Sequence, residues 1–250
     1  TEDTPESVDA APPGIVHPMS TTTPEAWTVV VAAGAGRRFG AEKQFAELDG
    51  DTVIGRSCRT AGAVSAGVVL VVADPAAPPV ESLLRHLSSG PPLVVKGGTT
   101  RAASVRRGLA AVPVSARIVL VHDAARPLAT PELYQRVIDA VAAGAPAVVP
   151  GIEVVDSLRR RSGGVVDRDG LVRVQTPQGF RADVLRAAHA GGADATDDAG
   201  LAEAAGYEVT IVDGDPANLK ITTPADLAVA SSLSSSIRAD VHRGGASRGG

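Results

Sequence analysis

Three cations, Arg37, Arg38 and Lys43, crowd into one short stretch of this chain, directly after the small residues Ala32-Ala33-Gly34-Ala35-Gly36. Glycine has no Cβ and accepts positive φ, so a loop of this kind lets backbone N–H groups converge on an anion. The aliphatic run Trp27–Ala33 leads into the loop and places it at the carboxyl end of a first strand, where open α/β sheets bind ligands. Backbone donors beside cations suit the charge that develops on a polyphosphate during group transfer. Two other phosphate loops do not fit. A P-loop needs G-x-x-x-x-G-K-[ST], whereas Lys43 is followed by Gln44 at another spacing. The dinucleotide pattern G-x-G-x-x-G fails at Phe39, because the third glycine arrives at Gly40. A tight turn with solvated basic residues is the plainer alternative. Strand, alanines, arginines and Lys43 together weigh against it.

Two further segments carry groups of the same chemistry. Gly97-Gly98-Thr99-Thr100-Arg101-Ala102-Ala103-Ser104 follows a short aliphatic run and opens a helix. Helix-start N–H groups and the Ser104 hydroxyl suit a base or ribose, although a well-capped helix would read the same way. In His122-Asp123-Ala124-Ala125-Arg126-Pro127, Asp123 ends a strand beside the phosphate loop, a good place for a carboxylate to hold Mg²⁺. Arg126 has the fork to clamp a phosphate. The plainer alternative is an aspartate that caps the next turn, and His122 is expected to pack. The acids of Thr196-Asp197-Asp198-Ala199 favour a helix dipole and read as structural.

These groups need a frame. Aliphatic runs of strand length occur at 27–33, 68–73, 93–96, 117–122, 147–150 and 209–212. Helix-period segments fall near 53–64, 79–88, 101–111, 131–143, 181–190 and 198–205, and Thr130-Pro131-Glu132 is a helix start. Such alternation predicts an α/β fold, a mostly parallel twisted sheet with helices on both faces. Residues 152–174 break the rhythm with two short β-type runs around Ser162-Gly163-Gly164, a β-hairpin arm that would serve as lid, dimer contact or inert insertion. Residues 26–230 form the expected domain. The Pro-, Thr- and acid-rich residues 1–25 and the Ser-, Gly- and Arg-rich residues 231–250 read as flexible tails.

Composition narrows the partners. A net charge of −4 lacks the basic footprint of a nucleic-acid or membrane-surface binder, so positive charge must be local. No apolar run reaches membrane-spanning length. The single cysteine, Cys58, makes neither an intrachain disulfide nor a metal framework, which fits a cytoplasmic setting.

The loop AAGAGRRFGAEKQF resembles the signature loop of nucleotidyltransferases that act on small phosphorylated substrates. With GGTTRAAS, HDAARP, VQTPQGF and NLKITTPADL following in order, residues 28–230 resemble the 2-C-methyl-D-erythritol 4-phosphate cytidylyltransferase family. That resemblance implies a Rossmann-like nucleotidyltransferase fold, CTP and a small polyol phosphate as substrates, Mg²⁺, and a homodimer formed through the arm. It implies that Ala32, Ala33, Gly34, Ala35, Gly36, Lys43, Gly97, Gly98, Arg101, Ser104 and Asp123 hold the nucleotide. Arg38 and Lys43 would stabilise the transition state, Arg168 and Lys220 would position the attacking phosphate, and Asp123 would carry the metal and orient the triphosphate. Asp123, Arg126, Ser157, Arg168, Thr176 and Lys220 would meet the acceptor. Three departures stand out: Glu42 where proline usually precedes the lysine, Thr99 in place of an acid, and a Gly36–Lys43 stretch a residue or two short. A ribitol-5-phosphate cytidylyltransferase shares donor and loop and is the nearest alternative. More distant are a sugar-1-phosphate nucleotidyltransferase and a non-catalytic nucleotide-binding domain.

Overall fold

A computed structural model describes residues 25–34, 39, 42–87 and 90–246, with side chains through residue 235. The first elements are β1 (Ala26–Val31), a 3-10 turn at Lys43–Phe45, the ribbon β2 (Glu47–Leu48) and β3 (Asp51–Thr52), then α1 (Val53–Val64). Next come β4 (Gly67–Val72), α2 (Pro78–His86), β5 (Leu93–Lys96), α3 (Arg101–Ala111), β6 (Ile118–Asp123) and α4 (Pro131–Ala142). The arm follows β7 (Ala147–Glu153) as β8 (Leu158–Arg159), β9 (Val165–Val166) and β10 (Val172–Val174). The chain closes with β11 (Gln178–Arg181), α5 (Ala182–Ala190), α6 (Asp198–Ala204), β12 (Val209–Asp213) and α7 (Pro224–Ala246).

β1 lies inside the main sheet, parallel to β4 on one side and β6 on the other, with β5 parallel beyond β4. The chain moves outward from β1 to β4 and β5, then returns to place β6 on the opposite flank of β1. That reversal opens a crevice at the carboxyl ends of β1 and β6, the usual ligand position of an open α/β sheet. Successive residues of each strand point to opposite faces. Val30, Leu70 and Leu120 therefore pack with Ile54, Leu133 and Ile138 on one face. Val29, Val71 and Val119 pack with Val105, Leu109 and Leu185 on the other. Cys58 lies buried in the first of these layers, where burial and then the nearby Asp51 charge push its thiol up to about 12.

The helix starts are set by threonines. The Thr52, Thr100 and Thr130 side chains accept the N–H of the residue three positions on, satisfying a donor that the helix leaves open. Helices α1 and α3 begin and end where the sequence pattern places them. At Gly108 an added Cβ would meet Val29 Cγ1 at 2.5 Å, so α3 sits against β1 closer than any side chain would permit.

Two features differ from expectation. The sheet contains an antiparallel strand deep inside it, since β11 pairs antiparallel with both β6 and β7. Its residues Gln178-Gly179-Phe180 lack β-branched side chains, and a Cβ at Gly179 would run into Val137 of α4. Close packing, not strand propensity, places it there. At the other end, α7 continues past Ser231 to Ala246, and Ser234 is buried, so helix crosses the boundary where a tail was expected. The expected N-terminal tail lies outside the described residues save Glu25. The arm forms the expected hairpin: β8 pairs with β9 around Gly163 and Gly164, both at positive φ, and β10 returns antiparallel to β7. No described helix is long and apolar enough to cross a membrane.

Candidate active site

At the crevice the ends of β1, β5 and β6 surround a cleft of about 550 Å³. Ala32, Ala33 and Gly34 form one wall, Gly98, Thr99, Thr100, Arg101 and Ser104 another, and Lys43, Gln44, Asp123 and Lys220 complete it. Backbone bonds carry the sheet pattern into these loops: Ala32 N–H donates to Val71 O at 2.7 Å, and Gly97 N–H donates to Val72 O at 2.7 Å. A Cβ on Gly97 would collide with that of Ala33, so glycine there lets the two walls approach. Ser104 turns its hydroxyl inward, donating to Thr100 O at 2.9 Å and accepting from Gly98 N–H at 3.1 Å.

Charge converges on Asp123. Arg101 Nε donates to its Oδ1 at 3.3 Å and Lys220 Nζ to its Oδ2 at 2.6 Å. Burial alone would raise this carboxyl; the Arg101 and then the Lys220 charges override it and hold it well below the usual carboxylate range. Burial likewise opposes the Arg101 charge, and Asp198 and then Asp123 outweigh it, raising its pKa. Lys43 Nζ donates to Ile221 O at 2.7 Å. The 218–221 segment is itself anchored, with Ile221 N–H on Ala125 O at 2.8 Å. Buried Asn218 donates to Thr176 O at 2.9 Å, and Gln175 to Asp215 O at 2.7 Å. Sequence reasoning passed over Asn218, Gln175 and Gln44. An amide two residues before Lys220 in a buried string was the available signal, since a buried amide needs partners.

Beneath the cleft a chain of hydrogen bonds fixes the Asp123 backbone. Its N–H donates to Thr176 Oγ1 at 3.0 Å, and Thr176 Oγ1 lies 3.1 Å from His122 Nδ1. His122 Nε2 is 3.2 Å from Arg126 O, so Nε2 carries the proton and the threonine hydroxyl donates to Nδ1. Burial lowers the His122 pKa to about 4 against the raising influence of Asp123 and of the Arg126 carbonyl, leaving a neutral ring. It packs against Tyr134, as expected of a structural histidine. Two residues expected on the acceptor make intrachain bonds here. The Thr176 hydroxyl is buried in this chain, and Arg126 directs Nη1 to Asn218 O at 2.7 Å and Nη2 to Val174 O at 3.3 Å.

The remaining expected residues divide. Gly97 stands immediately behind the wall. Ser157 and Arg168 are exposed on the arm, away from this cleft, and Arg168 reaches the Val155 carbonyl. Ala35, Gly36 and Arg38 lie outside the described residues. Among the described residues no three His, Cys, Asp or Glu side chains gather around a cation position. Mg²⁺, however, commonly takes one or two carboxylates with substrate phosphates and water. Asp123 fits that shared mode and not a protein-only cage, because the Lys220 side chain is 42% exposed and able to turn from Oδ2 toward a phosphate.

The family model described as 2-C-methyl-D-erythritol 4-phosphate cytidylyltransferase matches residues 26–235. A protein of that name from Saccharopolyspora erythraea is 46% identical, over 82% of this chain and 97% of that one. Another from Frankia casuarinae is 42% identical, over 87% and 84%. The crystal structure of 2-C-methyl-D-erythritol 4-phosphate cytidylyltransferase from Thermus thermophilus superposes with a TM-score of 0.70 at 36% identity, covering 82% of this chain and 97% of that one. The crevice at the sheet reversal, the cations gathered on Asp123 and these matches agree: the chain belongs to the 2-C-methyl-D-erythritol 4-phosphate cytidylyltransferase family.

Proposed function

We propose that the cleft carries out the family's reaction, moving CMP from CTP to 2-C-methyl-D-erythritol 4-phosphate with release of pyrophosphate. One observation carries the assignment to this cleft: Lys43, Arg101, Asp123 and Lys220 meet there between glycine-rich walls, beside backbone donors. An oxygen of the acceptor phosphate bonds to the α-phosphorus, and the bond from that phosphorus to the β-phosphate oxygen breaks. Near neutral pH a phosphate monoester has lost most of its second proton (pKa about 6), so no strong general base is needed. The protein's task is to hold two anions in line and to spread the charge.

Ala32–Gly36, Gly97, Gly98, Arg101 and Ser104 hold the nucleotide in this reading. Lys43, joined by Arg38, stabilises the transferring phosphoryl and the leaving pyrophosphate. Lys220 moves from Asp123 to the attacking phosphate. When bound, Mg²⁺ on Asp123 neutralises triphosphate charge. Arg126 and Thr176 act from behind, fixing the segments that carry Lys220 and Asp123. Arg168 and Ser157 serve the acceptor across a homodimer, a reading supported by their distance from this cleft and by exposed Val155, Leu171 and Val174 on and beside the arm. A cytoplasmic setting rests on the lone buried thiol, Cys58.

Steady-state pyrophosphate release from CTP, measured with 2-C-methyl-D-erythritol 4-phosphate, with ribitol 5-phosphate and with neither, tests the acceptor. Release that depends on the first is expected; preference for the second would transfer the chain to the ribitol reaction.

A further inference from the structure

Asp198 belongs to the first turn of α6 and does not line the cleft, yet its carboxylate is fully buried. A buried carboxylate loses its hydration unless partners replace the water. Here they do. Oδ1 accepts from His189 Nε2 at 3.0 Å and Oδ2 from Arg101 Nη1 at 2.7 Å. The first turn of α6 is fastened in turn to β11. Gln178 Oε1 accepts the N–H groups of Asp198 and Ala199 at 3.2 Å each, and Gln178 Nε2 donates to Asp197 Oδ2 at 2.9 Å. A preference of acids for helix N-termini accounts for an aspartate in this turn. It does not account for a buried one gripped by a histidine and an arginine.

The arrangement bears on Arg101. Its guanidinium stands between two carboxylates, with Nη1 on Asp198 behind the cleft and Nε on Asp123 within it. Arginine has a long side chain with many rotamers, so a free guanidinium would sample many positions. Without Asp198 its nearest anion would be Asp123, and the planar fork favours a two-bond pair with a carboxylate. Such a collapse would occupy the oxygens that a nucleotide-bound cation needs.

We propose that Asp198, held by His189, is a positioning residue for CTP: it draws Arg101 back from Asp123 and presents the guanidinium to the nucleotide in one orientation. This rests on the reading of the cleft as the CTP site. The experiment is calorimetric titration of CTP with Mg²⁺ into the full chain, for the unaltered protein, Arg101→Ala, Asp198→Asn and the double variant. Each single substitution should weaken CTP about tenfold or more, and the double variant should match Arg101→Ala within about twofold, the non-additivity of residues that act as one. Additive losses, or Asp198→Asn within twofold of the unaltered protein while Arg101→Ala is weakened, would overturn the positioning role. Unchanged affinity in Arg101→Ala would instead overturn the placement of CTP against Arg101, and with it the proposal. Should Asp198→Asn fail to fold, His189→Leu takes its place in the same cycle with the same expectation, and His189→Gln, which keeps a donor toward Asp198, should restore affinity.

Discussion

In and behind the cleft, charged side chains answer one another: Asp198 holds Arg101, Arg101 and Lys220 hold Asp123, and Thr176 fixes the Asp123 backbone. The arm is built from two- and three-residue strands, its Arg168 is exposed, and Val155 and Val165 turn apolar surface outward. One region ties its charges to one another; the other turns a cation and apolar side chains to solvent. In the function proposed above, the first region serves the donor half of the reaction and the second the acceptor half, completed at a surface.

The largest expected effect lies on the cleft side. Lys43→Ala should lower turnover at least about a hundredfold, the scale for losing one strong transition-state donor, with circular dichroism unchanged. Near-normal turnover would remove Lys43 from the chemistry. On the arm side, Arg168→Ala should cut kcat/KM for the acceptor about ten- to a hundredfold, the worth of a hydrogen bond to a charged group, while CTP affinity stays within twofold. An equal loss in CTP affinity would erase the distinction between the two regions.

Two smaller effects probe the floor of the cleft. The folded pKa of His122 is lowered to about 4 from an ordinary 6.5, so between those values the unfolded chain binds a proton that the folded chain does not. Stability is therefore complete above pH 6.5 and declines as pH falls toward 4, by roughly 3 kcal/mol at most from this residue. Urea unfolding across that window should show the slope, and His122→Gln should flatten it. Thr176→Val leaves the Asp123 N–H and His122 Nδ1 without a partner and should cost about 1–2 kcal/mol in the same assay. An unchanged midpoint would show that the hydroxyl is not committed to the fold.

Much of the frame was legible in the sequence. Thr52 and Thr100 sit where caps belong, and α1 and α3 begin directly after them. The aliphatic runs of β1, β4 and β6 are long enough that burial on both faces is their natural reading. Strand β11 was not legible, since glutamine and glycine carry no strand preference and packing under α4 decides its place. The strings carrying Lys43, Gly98, Arg101 and Asp123, which line one cleft, stood out because each lies at or beyond a strand's carboxyl end, whereas Lys220 stood out only through the family's closing motif. The commitments of Thr176 and Asp198 were not. Thr176 lies 53 residues from the Asp123 N–H it accepts, and Asp198 lies 97 residues from Arg101. No local pattern marks such partners.

Phosphorus NMR of the full chain with CTP, Mg²⁺ and 2-C-methyl-D-erythritol 4-phosphate follows both halves of the reaction at once. The triphosphate signals of CTP should decline as pyrophosphate and a new diphosphate diester grow together in equal amounts, and neither should appear without the acceptor. Unchanged CTP, or release of inorganic phosphate in place of pyrophosphate, would contradict CMP transfer in this cleft.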